Sequence, residues 1–339
     1  MKKTVLYLLL GIVLIVFPWM SNDYLLSMVN LSAIAAVSAL GLNILTGYTG
    51  LISLGHAAFM GVGAYSAAIL YTKLGVPWFL AIFLAGFIAA IVGMLFGTPS
   101  LRLRGMYLAM ATLAAQILLV FIFEQWKSVT GGVSGFYIRS PEIFGITLGT
   151  ERNFYYLSVG MAVLATLGVY NLFRTRTGRA FIAIRDKDLA AEIVGIPVFR
   201  YKLYSFAISS FYAGVGGALL AFYLTFASPE SFGLSITIQY IAMVIIGGLG
   251  TISGSILGAA FVSILPQGLE IILKPIVVYL PDYGSSALRD IIFGLLIILF
   301  LVFEPKGLSA IIGRLVGIVK GIVKSRVGEK EKGSMTFLS

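Results

Sequence analysis

Long apolar runs broken by short polar ones make up most of the 339 residues. Ten runs come near the roughly 20 residues that a helix needs to cross about 30 Å of hydrocarbon. They lie at about 4–20, 24–46, 51–72, 78–98, 105–123, 153–173, 203–226, 234–248, 254–273 and 288–303. Residues 234–273 read either as one long stretch or as two spans broken at Gly247-Gly248-Leu249-Gly250. The pattern predicts an all-α, polytopic membrane protein with about ten transmembrane helices.

One polar interruption stands out, Arg174 to Lys202, with seven basic and three acidic residues among small and apolar ones. Thr177 can cap a short helix over Gly178–Arg185, on which Phe181 and Ile184 share a side. Asp188 can cap a second, Leu189–Val194. Gly195 stands at its C′ position, and Pro197 ends it. Ala190 and Ala191 leave a smooth patch, and Arg179, Arg185, Asp186, Lys187 and Glu192 place charges around it. Such a segment suits a partner's groove. The plainer reading is a basic loop with incidental helicity.

Composition agrees with the pattern. Hydrophobic residues make up 59% of the chain and charged residues 11%, with a mean hydropathy of +1.00. Soluble domains carry about 25% charged residues. The absence of cysteine excludes disulfides and thiolate metal sites, and a single histidine, His56, leaves no histidine cluster for a metal. No cofactor or metal is expected.

The net charge of +10 gains meaning from its distribution. With ten spans and a cytoplasmic N-terminus, the inside segments are 1–3, 47–50, 99–104, 174–202, 249–253 and the tail from Glu304. They hold 18 of the 24 basic residues and 6 of the 14 acidic ones. Lys and Arg concentrate on the cytoplasmic side of membrane proteins. The distribution therefore predicts an inner- or plasma-membrane protein with both termini cytoplasmic, and it points away from nucleic acid as a partner. Lys2 and Lys3 before Val5–Phe17 resemble a signal peptide, but Pro18, Trp19 and Met20 follow with no small-x-small cleavage site, which predicts an uncleaved first span. The division expected is a transmembrane domain over 1–303 and a cytoplasmic tail over 304–339. Within that tail Ile311–Val327 reads as a basic amphipathic helix on the lipid surface. The long segment 124–152, on the outside in this scheme, suits either a cover over a pathway that meets an external partner or a solvated connector.

Glycines punctuate two membrane stretches with a shared pattern. Gly47-x-x-Gly50-x-Ile52-Ser53 is matched by Gly247-x-x-Gly250-x-Ile252-Ser253. Such stretches at matching places in two halves can mark a pathway built on broken helices; tight packing of small residues is the other reading. His56 follows the first stretch and suits either a hydrogen bond to a neighbouring helix or a place on a water-filled path.

Absences narrow the function. The cores of the spans hold almost no charge, whereas ion-coupled carriers keep ionisable groups inside the bundle. No G-x-x-x-x-G-K-[ST] loop is present to bind ATP, and no filter-like motif suggests a channel. A secondary carrier and a passive channel remain as alternatives. A subunit driven by a separate ATPase fits the capped polar segment better.

At these residues the sequence resembles the membrane permeases of branched-chain amino acid ABC importers, of the LivM type. The resemblance covers nearly the whole chain. It is carried by GLNILTGYTGLISLGHAAFMGVGAY (Gly41–Tyr65), Thr177–Leu220, Gly247–Leu265 and Glu304-Pro305-Lys306-Gly307-Leu308, and most specifically by GRAFIAIRDKDLAAEIVGIPVFRYK. It implies a coupling loop with the core Ala190-Ala191-Glu192-Ile193-Val194-Gly195, in which Arg179, Ala183, Arg185 and Asp186 also take part. Leu189 stands where the general permease pattern has Glu. The resemblance implies a complex with ABC ATPase subunits, a second homologous permease and an external substrate-binding protein. It implies a transport subunit that is not itself an enzyme, importing leucine, isoleucine and valine; related permeases carry urea or short amides.

Overall fold

A computed structural model describes residues 14–103, 105–143, 146–277, 282–303 and 307–311. The beginning of the first expected span and the expected tail helix beyond Ile311 lie outside the described residues. The chain is helical with minor strand pairing. Residues 14–20 form α1, followed by α2 (Asp23–Asn43) with a π-helical turn (Ile44–Tyr48), α3 (His56–Thr72), α4 (Trp78–Ser100) and α5 (Met106–Gln125). The short α6 (Lys127–Thr130) precedes α7 (Glu151–Arg174), α8 (Arg176–Asp186), α9 (Asp188–Ile193) and α10 (Val198–Leu224). A 3-10 turn (Pro229–Phe232) leads into α11 (Leu234–Gly247), then come α12 (Ile252–Val277) and α13 (Asp282–Phe303).

Seven helical segments among the described residues are long and apolar enough to cross a membrane: Asp23–Tyr48, Trp78–Ser100, Met106–Gln125, Glu151–Arg174, Val198–Leu224, Pro229–Gly247 and Ile252–Leu269. Two expectations change in detail. The run predicted over 51–72 is helical only from His56, because residues 49–55 leave the helix after the π-helical turn. Residues 234–273 divide into two helices at Gly248 (φ 118°) and Gly250 (φ 72°), a backbone region that side chains with a Cβ avoid.

α10 is the centre of the bundle and packs most extensively on α4, α3 and α2. Small residues make this possible. A Cβ on Gly63 or Gly217 would run into the backbone of Gly214 or Met60 across the helix interface. In lipid no hydrophobic drive holds helices together, so this close backbone approach supplies much of the attraction through dispersion. A polar cluster ties three helices at one end. Asn30 Nδ2 of α2 donates to Glu151 Oε2 of α7 (2.9 Å), Ser158 Oγ to Asn30 Oδ1 (2.8 Å), and Tyr223 OH of α10 to Glu151 Oε2 (2.9 Å).

The segment 124–152 folds onto this same end. β1 (Phe136–Tyr137) pairs antiparallel with β4 (Phe226–Ala227), just after α10, and β2 (Glu142–Ile143) pairs with β3 (Ile146–Thr147). Lys73 Nζ, at the end of α3, donates to the carbonyls of Ser128 and Val129 (3.2 and 3.3 Å). The segment is thus anchored to the ends of α3 and α10. α8 and α9 lie at the opposite end of the bundle.

Candidate functional site

The Arg174–Lys202 interruption forms two helices separated by Lys187, as the pattern predicts, but the caps sit elsewhere. α8 begins two residues earlier than expected, because Thr175 rather than Thr177 accepts from Gly178 N (3.4 Å). Asp188 is the first residue of α9 rather than its cap, and its carboxylate pairs with Lys202 of α10. The end of α9 is as read from the sequence. Gly195 takes φ 90°, its N–H donates to Glu192 O (2.9 Å), and Ile196 N donates to Ala191 O (3.0 Å). Those two bonds form a Schellman motif and satisfy carbonyls that the helix end would otherwise leave free. Pro197 then precedes α10.

The two helices bury different amounts of themselves. Phe181 (0% exposed) and Ile184 (2%) face inward on α8. Phe181 packs in a small cluster with Leu40 and Ile44 of α2 and its turn, and Val169 of α7. On α9, Leu189, Ile193 and Val194 at its end are exposed at 68%, 86% and 81%. Ala190 and Ala191 do not make one smooth patch: Ala190 is exposed and Ala191 is buried, since neighbouring residues on a helix point about 100° apart. A groove of about 420 Å³ lies beside them, lined by Ala183, Asp186, Lys187, Ala190, Ala191, Val194 and Ile196. Arg179, Asp186 and Glu192 are exposed.

The structure brings parts of the two glycine stretches together at this same end. Gly47 lies against Gly250 so closely that a Cβ at Gly47 would meet Gly250 N. Asn43 joins the two stretches. Its Oδ1 accepts from Gly250 N (2.9 Å), and its Nδ2 donates to Thr251 O (2.9 Å) and Ser255 Oγ (2.7 Å). Gly50 and Gly250 both have positive φ, 75° and 72°. The serines of the shared pattern differ: Ser53 is buried on non-helical chain, where its Oγ accepts from Gly55 N (3.3 Å), whereas Ser253 is exposed in the first turn of α12. Gly247 closes α11 and packs against Gly254 and Gly258 of α12.

α3 begins inside the bundle. N–H groups in its first turn and just before it are satisfied by side chains of other helices: Leu54 N donates to Thr112 Oγ1 (2.9 Å), Ala57 N to Thr237 Oγ1 (3.0 Å) and Ala58 N to Gln116 Oε1 (2.9 Å). Thr112 and Gln116 lie six and ten residues into α5, about 9–15 Å along it at 1.5 Å per residue. Gln116 Nε2 also donates to Phe232 O (2.6 Å), where the chain re-enters before α11. Each unpaired backbone group at this depth would cost several kcal/mol, so these polar side chains make an interrupted helix tenable. His56, 2% exposed, lies 3.1 Å from Ser38 O through Nε2 and against the Tyr240 ring. Of its two readings, the contact present is the helix–helix hydrogen bond. Sequence reasoning missed Asn43, Thr112, Gln116 and Thr237; the readable signal was a lone amide or hydroxyl within an apolar run.

Comparison with known proteins places this arrangement. A family model described as the permease component of the branched-chain amino acid transport system matches residues 24–301. The chain belongs to this permease family. It is 30% identical to the high-affinity branched-chain amino acid transport system permease LivM of Salmonella typhimurium, over 91% of this chain and 75% of that protein, and equally to LivM of Escherichia coli. A more distant likeness is to the ribose import permease RbsC of Haemophilus influenzae, 26% identical over 79% of this chain and 84% of that protein. No solved structure matches it. This permease is therefore a multi-pass transport subunit of an ABC importer rather than an enzyme.

Proposed function

We propose that this permease imports branched-chain amino acids with both termini and the α8–α9 end in the cytoplasm, and that α9 is the surface on which an ABC ATPase subunit acts. The exposed apolar ridge of α9 carries the reading: Leu189, Ile193 and Val194 are largely exposed beside a polar, charged rim. An apolar ridge on a short capped helix is suited to a partner's groove. The chain holds no phosphate-binding loop of its own, so the energy comes from a separate ATPase subunit. A second homologous permease and an external binding protein complete the complex, the latter meeting the folded segment 124–152. Ten spans place the 18 basic residues of the inside segments on one side. The branched-chain cargo follows the printed function of the LivM relatives, and ribose, the cargo of RbsC, is the competitor to exclude.

The test is uptake of labelled leucine by the complete transporter in proteoliposomes, with ATP inside or outside and with unlabelled valine or ribose as competitor. Uptake that needs ATP on the α9 side and is blocked by valine supports the reading. Uptake driven by a proton gradient alone overturns the mechanism, and competition by ribose but not valine overturns the cargo.

A further inference from the structure

Arg185 carries a charge in the segment read as a partner surface; its side chain stays 39% exposed, yet its guanidinium reaches across to the turn that ends α2. Its Nη1 donates to Gly47 O (3.1 Å) across the gap between α8 and the end of α2. Gly50 lies under its aliphatic stem, where a Cβ would come 3.2 Å from Cγ, and a Cβ on Gly250 would come 2.9 Å from Nη1. The guanidinium thus occupies a notch whose walls are three glycines from the two membrane stretches. Asp186 Oδ1 holds the opposite edge, accepting from Nε (3.3 Å) and Nη2 (3.2 Å). The planar fork of arginine directs separate N–H groups at the two acceptors in a fixed geometry, whereas an ammonium offers a single nitrogen on a flexible stem.

We propose that Arg185 is a positioning residue, tying α8 to both glycine breaks so that displacement of α8 reaches the chain entering α3 and the chain entering α12 together. The proposal rests on the reading of α8–α9 as the segment an ATPase moves. Its geometric basis is the sharing of the notch. Asn43 fastens Gly250, Thr251 and Ser255 to the end of α2, so a pull on Gly47 is also a pull on the break after α11. The bond from Arg185 falls on a backbone carbonyl inside the π-helical turn Ile44–Tyr48, and the glycines beside it at positive φ are places where a chain can turn. A side chain at Gly50 or Gly250 would crowd the guanidinium and strain the backbone.

The chain has no cysteine, so a single Ile52→Cys reports on the first break. Ile52 is 58% exposed and borders the same cleft as Arg185, Asp188 and Lys202. In the complete transporter in proteoliposomes, the rate of maleimide labelling at this cysteine is compared between the nucleotide-free and the vanadate-trapped ATP state. The rate is expected to differ about fivefold between states with Arg185 present, to be equal in both with Arg185→Ala, and to differ by an intermediate factor with Arg185→Lys. Leucine uptake is expected to fall about tenfold in Arg185→Ala, with the ATPase subunits still co-purifying. Retained state-dependent labelling or normal uptake in Arg185→Ala overturns the proposal. Loss of ATPase co-purification also overturns it, since Arg185 is then part of the docking contact. Ile193→Arg tests the underlying reading separately: ATPases that still co-purify with it overturn the docking role of α9, whatever Arg185→Ala does.

Discussion

α8 and α9 are neighbours in one polar interruption and differ in what they do with their apolar residues. α8 turns Phe181 and Ile184 into the bundle and sends Arg185 to Gly47. α9 turns Leu189 and Ile193 outward and is held to the bundle chiefly through Ala191 and the Asp188–Lys202 pair. An apolar residue left in water has forgone roughly 1.5–3 kcal/mol of burial. Three such residues, Leu189, Ile193 and Val194, on and just after one short helix make sense when another surface covers them. The difference divides the segment into a part joined to the spans and a part that leaves its apolar side chains uncovered, the surface proposed above for the ATPase.

The comparison breaks first at Phe181. Phe181→Ala removes a fully buried ring where α2, α7 and α8 meet, a change that costs about 3–5 kcal/mol in a packed core. A marked fall in the melting temperature of the detergent-purified permease and loss of uptake are expected; an unchanged melting temperature would show that α8 is not anchored there. Ile193→Arg is the mirror experiment on α9. Uptake should be abolished while the melting temperature of the isolated permease stays at that of the parent, since an exposed substitution changes stability by only about ±0.5 kcal/mol. Gly195→Ala should be milder, costing about 1–2 kcal/mol because φ there is 90°, and should be visible as a lower uptake rate with partial ATPase co-purification. Asp188→Asn should be smallest. The pair with Lys202 is 41% exposed on the Asp188 side, so its loss is worth at most about 1 kcal/mol, and salt titration of the parent should mimic it.

Much of this was legible in the sequence. The apolar runs located seven spanning helices among the described residues because a buried or lipid-facing helix is apolar all round, and the Gly195 stop was readable because glycine takes φ 90° without strain. The Thr175 cap was missed since Thr175 and Thr177 are equally good acceptors by type, and only the path of the chain out of α7 chooses between them. The inward turn of Arg185 and the division of Ala190 from Ala191 depend on the angle at which α8 and α9 meet the bundle, which no local pattern encodes. The break at 49–55 was marked by glycines, but its depth was not. That depth follows from Thr112, Gln116 and Thr237, single polar residues on two other helices whose partners are far away in the chain.

The central claim, that α9 faces the ATPase while α8 faces the spans, is tested most directly by photo-crosslinking. A benzophenone side chain is placed at position 193 or 181 of the full chain in the complete transporter, and the products are resolved by mass. A crosslink to the ATPase subunit from 193, with none from 181, is the result predicted. A crosslink to the ATPase from 181, or none from 193, would contradict the account.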